Sequence, residues 1–146
     1  MNEVCNLFDL DACVGFITNK AGKKLADEFN ERLLNVGITR VQWIALYYLG
    51  KYDELNQKEL GDLMDIKESS VARLVDRMER EGYVTRQKDM NDRRITKLVL
   101  TDKGREYREK LLPEGEKMAQ IFTKGITNEE ISVFLKVIDK MLSNIE

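Results

Sequence analysis

The side chains of this 146-residue chain that could do chemistry fall into three groups: two cysteines, a cluster of serines and arginines over residues 69–80, and an arginine–aspartate loop over residues 89–94. Cys5 and Cys13 are too few and too close to build a disulfide framework. Eight residues apart on one continuous helix, they would lie about 12 Å apart along its axis, beyond bridging. They read as small hydrophobes near a helix start, with a redox-responsive thiol at Cys13 as the alternative. Histidine is absent, which removes Ser-His-Asp and Cys-His catalysis and the commonest metal ligand. No glycine-rich phosphate loop and no C-x-x-C pair occurs. Carboxylates are plentiful, but they interleave with Lys and Arg along helical faces, the pattern of solvated surface. The sequence therefore argues against an enzyme and implies no cofactor.

What remains is recognition. Ser69, Arg73, Asp76, Arg77 and Arg80, with Ser70 on the flank, fall opposite Val71, Leu74, Val75 and Met78 at helical spacing. Serines at a helix start can bond base edges or phosphates, and Arg73 or Arg77 can form a two-pronged contact with guanine. The plainer reading is a solvated face with pairs such as Asp76–Arg80. Lys67, Arg80 and Lys97 are placed to touch phosphates. In the loop, Arg93 and Arg94 can enter an A·T-rich minor groove, where the potential is most negative. Asp89 and Asp92 would support the loop; the expected division sends Arg94 to the groove and ties Arg93 partly to a carboxylate. The net charge of −2 looks wrong for such a role. Residues 67–97, however, hold nine Lys/Arg against six Asp/Glu, so the basic excess sits on these elements.

Those groups need a frame. A first helix is expected from about Leu10 to Val36, with Leu10, Val14, Ile17, Ala21, Leu25, Phe29 and Leu33 on one face and Gly37 as its stop. Thr39 with Gln42 opens a second helix ending at Gly50, apolar nearly all round and hence central. Asn56 and Glu59 cap a short helix over Gln57–Met64; a four-residue break, Asp65–Glu68, leads to a longer helix over Ser69–Glu81 closed by Gly82. Short helix, tight turn and longer helix make a helix-turn-helix. The period then drops to two in Tyr83–Lys88 and Ile95–Leu100, a hairpin forming a wing. Thr101 caps a helix running to about Lys124, broken at Pro113 and Gly115. Thr127 and Glu130 cap a last helix with a stripe of Ile131, Phe134, Leu135, Ile138, Met141, Leu142 and Ile145. The apolar stripes of the first and last helices predict a dimer interface, with intramolecular packing as the alternative. The longest apolar run, Trp43–Leu49, is too short for a bilayer, and the acidic start lacks the basic region of a signal peptide. The protein is therefore placed in the cytoplasm.

The run Asp89-Met90-Asn91-Asp92-Arg93-Arg94 followed by Leu100-Thr101-Asp102-Lys103-Gly104 resembles the wing signature of the MarR family, D-x-x-D-R-R then L-T-x-x-G. Gly37-Ile38-Thr39-Arg40-Val41-Gln42-Trp43 resembles its G-L-T-x-x-Q-aromatic segment, and Ser70–Val84 resembles its recognition helix and strand entry. The resemblance implies a mainly α, winged helix-turn-helix homodimer with a small two-stranded β wing. Residues 1–36 and 105–146 would form the dimerisation region and residues 37–104 the DNA-binding region. It further implies a palindromic double-stranded DNA operator, mostly repression, and release by a small aromatic or phenolic ligand or an oxidant. Trp43 and Tyr47 read first as plain core, with a ligand crevice beside them as the alternative. The family's zinc-sensing branch uses histidine ligands that this chain lacks, and Cys13 falls about two residues from the register of its peroxide-sensing branch. Lys67 departs from the family's usual Ser-like N-cap, so the recognition helix is expected to begin at Glu68 or Ser69. A winged-helix module that binds an acidic protein is the rival reading.

Overall fold

The computed structural model describes residues 8–146; Cys5 lies outside them. Two compact units divide between Leu112 and Pro113. The first holds a 3₁₀ turn at Leu10–Ala12, α1 (Val14–Leu34), α2 (Arg40–Lys51), α3 (Gln57–Met64), α4 (Glu68–Arg80), β1 (Val84–Lys88), β2 (Thr96–Leu100) and the start of α5 (Asp102–Phe122). The second holds the end of α5 and α6 (Asn128–Ser143). No helix among the described residues is long and apolar enough to cross a membrane.

Chain punctuation explains most boundaries. The Asp9 carboxylate accepts from the Asp11 amide and starts the 3₁₀ turn, after which Cys13 is extended and becomes the N-cap of α1. The single helix expected from Leu10 is thus two elements, because the chain turns at Cys13. Thr39 and Gln42 form a reciprocal capping box on α2, and Asn56 and Glu59 another on α3. Gly50 does not end α2, which runs one residue further to Lys51. A Cβ on Gly50 would strike the Arg108 side chain, which bonds the Leu46 and Tyr47 carbonyls at 3.0–3.2 Å. That glycine is a gap for a guanidinium, not a stop. Likewise α5 continues through Pro113 instead of breaking there, since proline removes only one ladder bond of a 21-residue helix.

The core of the first unit gathers Leu33, Ala45, Leu46, Leu60, Val71, Val75, Met78, Val84 and Leu98, each almost wholly buried. β1 and β2 pair antiparallel, Val84 opposite Leu100 through Lys88 opposite Thr96. Leu55 adds a bridge on the outer side of β2, its carbonyl accepting from the Leu98 amide at 2.7 Å. The α3 entry and the wing are thereby joined by backbone. Of the α1 stripe, only Phe29 and Leu33 reach this core; Val14, Ile17 and Leu25 are exposed. On α6, Phe134, Leu135, Leu142 and the trailing Ile145 are exposed as well.

Candidate nucleic-acid interface

α4 is held from behind. Val71, Val75 and Met78 are buried and Leu74 packs beside them, which fixes the opposite face outward. Asp65 takes a left-handed conformation (φ 54°), a turn that aspartate tolerates, and the Ile66 amide closes onto the Gly61 carbonyl at 3.0 Å. α4 starts at Glu68. Lys67 is its N-cap without a side-chain bond, as an ammonium has nothing to accept with, and its carbonyl takes the Ser70 and Val71 amides. Ser69, Ser70, Arg73, Arg77 and Arg80 are all exposed. Arg77 donates to Glu81 at 3.1 Å, while Arg73 and Arg80 form no ion pair among the described residues. The Asp76–Arg80 pair is not formed; Asp76 is taken by Arg86.

The wing is shaped by its two aspartates. Asp89 Oδ1 accepts from the Asn91 amide at 2.7 Å and the Asp92 amide at 3.3 Å. Together with Lys97, these bonds hold its carboxyl below the usual range, the Asn91 amide contributing most. Asp92 accepts from the Arg94 amide and grips the Arg94 guanidinium with both oxygens, at 3.0 and 3.1 Å. The carboxylate tie expected for Arg93 therefore falls on its neighbour. Arg94 is the tied arginine, and Arg93 has no carboxylate among the described residues. The reason is local: a carboxylate that bonds the amide two residues on brings that residue's side chain alongside, while the intervening one points elsewhere. The tie does not hide Arg94, whose side chain remains 91% exposed. It aims the guanidinium.

Arg86 is the residue that sequence reasoning missed as a site. It stands two residues from buried Val84, on the inward face of β1. Its guanidinium meets Asp76 at 2.7 Å, Glu79 at 2.9 Å and Gln57 at 3.0 Å, and reaches the Ala72 carbonyl at 3.3 Å. Its own amide bonds Glu79 at 3.2 Å. One side chain thus ties the wing to α3 and α4. A lone arginine on the buried register of a strand is the signal that could have found it.

Other expected contacts move. Lys97, assigned to phosphate, lies between Glu54 (3.0 Å) and Asp89 (3.3 Å) and is largely covered, so it braces the wing. Of the nine basic residues counted in 67–97, Arg77, Arg86, Arg94 and Lys97 are paired; Lys67, Arg73, Arg80, Lys88 and Arg93 form no ion pair among the described residues. Trp43 and Tyr47 do not open a crevice within the first unit. The Trp43 indole stands edge-on to Phe29, stacks on Tyr47 and donates to the Leu111 carbonyl at 2.8 Å. The space they share with Leu46, Arg108, Leu111 and Leu112 leaves no room for a water. These aromatics pack. Cys13 is half-buried at the start of α1, with no side-chain capping bond.

A capped short helix, a left-handed turn, an exposed Ser/Arg helix face and a basic hairpin beside it define a winged helix-turn-helix DNA-binding protein. The MarR family profile matches residues 36–95, from the α1–α2 turn through α2, α3, α4 and β1 to the wing loop, stopping just before β2. A helix-turn-helix transcriptional regulator of Bacillus cereus (strain ZK / E33L) is 31% identical over 69% of this chain and 67% of its own length. The transcriptional repressor MdtR of Bacillus subtilis is 29% identical over 75% of this chain and 70% of its own. Among solved structures, Bordetella bronchiseptica BpsR, described as regulated in DNA binding by 6-hydroxynicotinic acid, superimposes with a TM-score of 0.84 at 20% identity, over 93% of this chain and 97% of that one. The chain belongs to the MarR family, and is a DNA-binding transcriptional regulator rather than an enzyme.

Proposed function

We propose that the protein is a homodimeric, cytoplasmic repressor that binds a palindromic operator and is released by a small molecule. The observation that carries the reading is the pairing pattern: the ion pairs brace the wing, while Arg73, Arg80 and Arg93 stand exposed and unpaired among the described residues. Arg73 and Arg77, with Ser69 and Ser70, read the major groove; Arg77 must first exchange Glu81 for a base. Arg94, held by Asp92, enters the minor groove, with Arg93 beside it. Lys67 and Arg80 contact phosphates. Residues 37–104 act as the DNA-binding region. Residues 1–36 and 105–146 act as the dimerisation region, for which the exposed apolar residues of α1 and α6 speak. Repression by MdtR and the ligand response of BpsR support the regulatory part.

Selection of bound sites from a random duplex library tests this. The expected product is an inverted repeat whose half-sites are centred about one helical turn, ~34–36 Å, apart. Recovery of no enriched sequence, with no duplex binding even at low salt, would overturn it.

A further inference from the structure

The hairpin is held on both of its faces. Arg86 stands opposite Leu98 on the register that faces the core, whereas Lys97 stands opposite Gln87 on the other face. A lysine on the outer face of a two-stranded sheet ordinarily reaches solvent. The Lys97 side chain is only 26% exposed, because its ammonium lies 3.0 Å from Glu54 and 3.3 Å from Asp89 Oδ2. Those carboxylates, Glu54 first, hold its pKa above the usual lysine value, so the charge is retained. Glu54 precedes Leu55, whose carbonyl takes the Leu98 amide, and this end of the tie is thus anchored beside the entry to α3.

The other end of the tie orients Asp89. Its Oδ2 meets Lys97 while its Oδ1 accepts from the Asn91 and Asp92 amides. A carboxylate is one rigid plane, so fixing one oxygen fixes where the other can sit. Without Lys97 the largely covered Oδ2 would lack its partner, and turning it to water would pull Oδ1 off the two amides. One of those amides belongs to Asp92, whose carboxylate grips the Arg94 guanidinium. The contacts form one chain, Glu54–Lys97–Asp89–Asp92–Arg94, from the α3 entry to the wing tip.

We propose that Lys97 is a positioning residue for DNA binding: it fixes the Asp89 carboxylate that shapes the loop presenting Arg94, and so sets how much affinity Arg94 delivers. Lys97 itself touches no DNA. The effect on affinity rests on the minor-groove contact proposed for Arg94; the effect on the shape of the loop does not.

A double-mutant cycle on the full chain tests this. Wild type, Lys97→Met, Arg94→Ala and the double variant are titrated by anisotropy with a duplex selected from the random library. The Asn91 amide and Arg94 Nε–H signals are followed by NMR. Arg94→Ala should weaken wild type about tenfold but the Lys97→Met background only about threefold or less. Lys97→Arg keeps the cation and should preserve the full effect of Arg94. Arg73→Ala should cost the same factor with or without Lys97, since Arg86 and the core hold α4; loss of that effect too would mark a general loosening and overturn the assignment. Glu54→Gln, at a side chain 70% exposed, cuts only the outer tie and should give the same pattern at smaller size; it replaces Lys97→Met if that variant does not fold. An equal cost of Arg94→Ala in both backgrounds overturns the proposal. If no duplex binds, or Arg94→Ala costs nothing in wild type, the proposed DNA contact has failed instead. The NMR signals then decide alone: Asn91 and Arg94 resonances unmoved by Lys97→Met overturn the positioning role.

Discussion

Replacing Arg86 by Met removes the guanidinium that joins the wing to α3 and α4 and keeps most of the apolar stem. Two ion pairs are lost, to Asp76 and Glu79, whose side chains are 61% and 41% exposed. Solvent-screened pairs of that kind contribute about 0.2–1 kcal/mol each. The hydrogen bonds to Gln57 and the Ala72 carbonyl add about 1 kcal/mol apiece at most. The expected loss is therefore about 2–3 kcal/mol of folding stability, read by urea denaturation at fixed protein concentration because a dimer's stability depends on it. The sharper readout is DNA. With the wing freed from α4, Arg93 and Arg94 lose their fixed distance from the recognition helix, and affinity should fall about tenfold or more with a shallower salt dependence. Arg86→Lys keeps the charge but not the fork and should be intermediate. If Arg86→Met, at a temperature where it is fully folded, bound a selected duplex with wild-type affinity and salt slope, the clamp would have no part in setting the wing.

Arg73→Ala should cost about 1–3 kcal/mol of operator binding and relax preference at one base pair, measured by anisotropy over single-substitution duplexes; a uniform loss across all positions would assign Arg73 to phosphate instead. Gly104→Ala would set a Cβ against the Tyr83 carbonyl. Since that carbonyl also accepts the Thr101 amide at 3.0 Å, it cannot retreat freely, and a loss of about 1–3 kcal/mol is expected; an unchanged urea midpoint would contradict it. Asp89 has its pKa lowered from the usual 3.8, so its contribution to the wing is present above that value and is lost as pH falls through the lower, folded one. The Asn91 amide shift should accordingly hold through pH 3.8 and collapse only below it; a midpoint at or above 3.8 would show that the bond is not formed in solution.

Much of the fold was legible because its signals are local. The capping boxes at Thr39–Gln42 and Asn56–Glu59 lie within one turn of chain, and both helices start where those residues require. The apolar spacing of Val71, Val75 and Met78 orients α4 before any partner is known. The Leu100-Thr101-x-x-Gly104 motif gains its reason only in three dimensions: Thr101 Oγ1 donates to the Gly82 carbonyl and accepts the Gly104 amide, while the Tyr83 backbone closes over Gly104. Gly50 shows the opposite case, where a residue read as a helix stop makes room for Arg108, 58 positions away.

Ion pairing divides the two kinds of information most clearly. Composition and spacing determined that the chain has no histidine chemistry, that a helix-turn-helix and a hairpin follow one another, and that cations concentrate on them. Which cations are already spent was decided by tertiary structure. Arg86, Arg94 and Lys97 look alike in sequence, yet one clamps the wing to two helices, one is aimed outward by Asp92, and one is held between Glu54 and Asp89. The physical reason is range: caps and periodicity act over a few residues of backbone, whereas a guanidinium or ammonium on a long side chain pairs with whichever carboxylate the fold brings within about 4 Å.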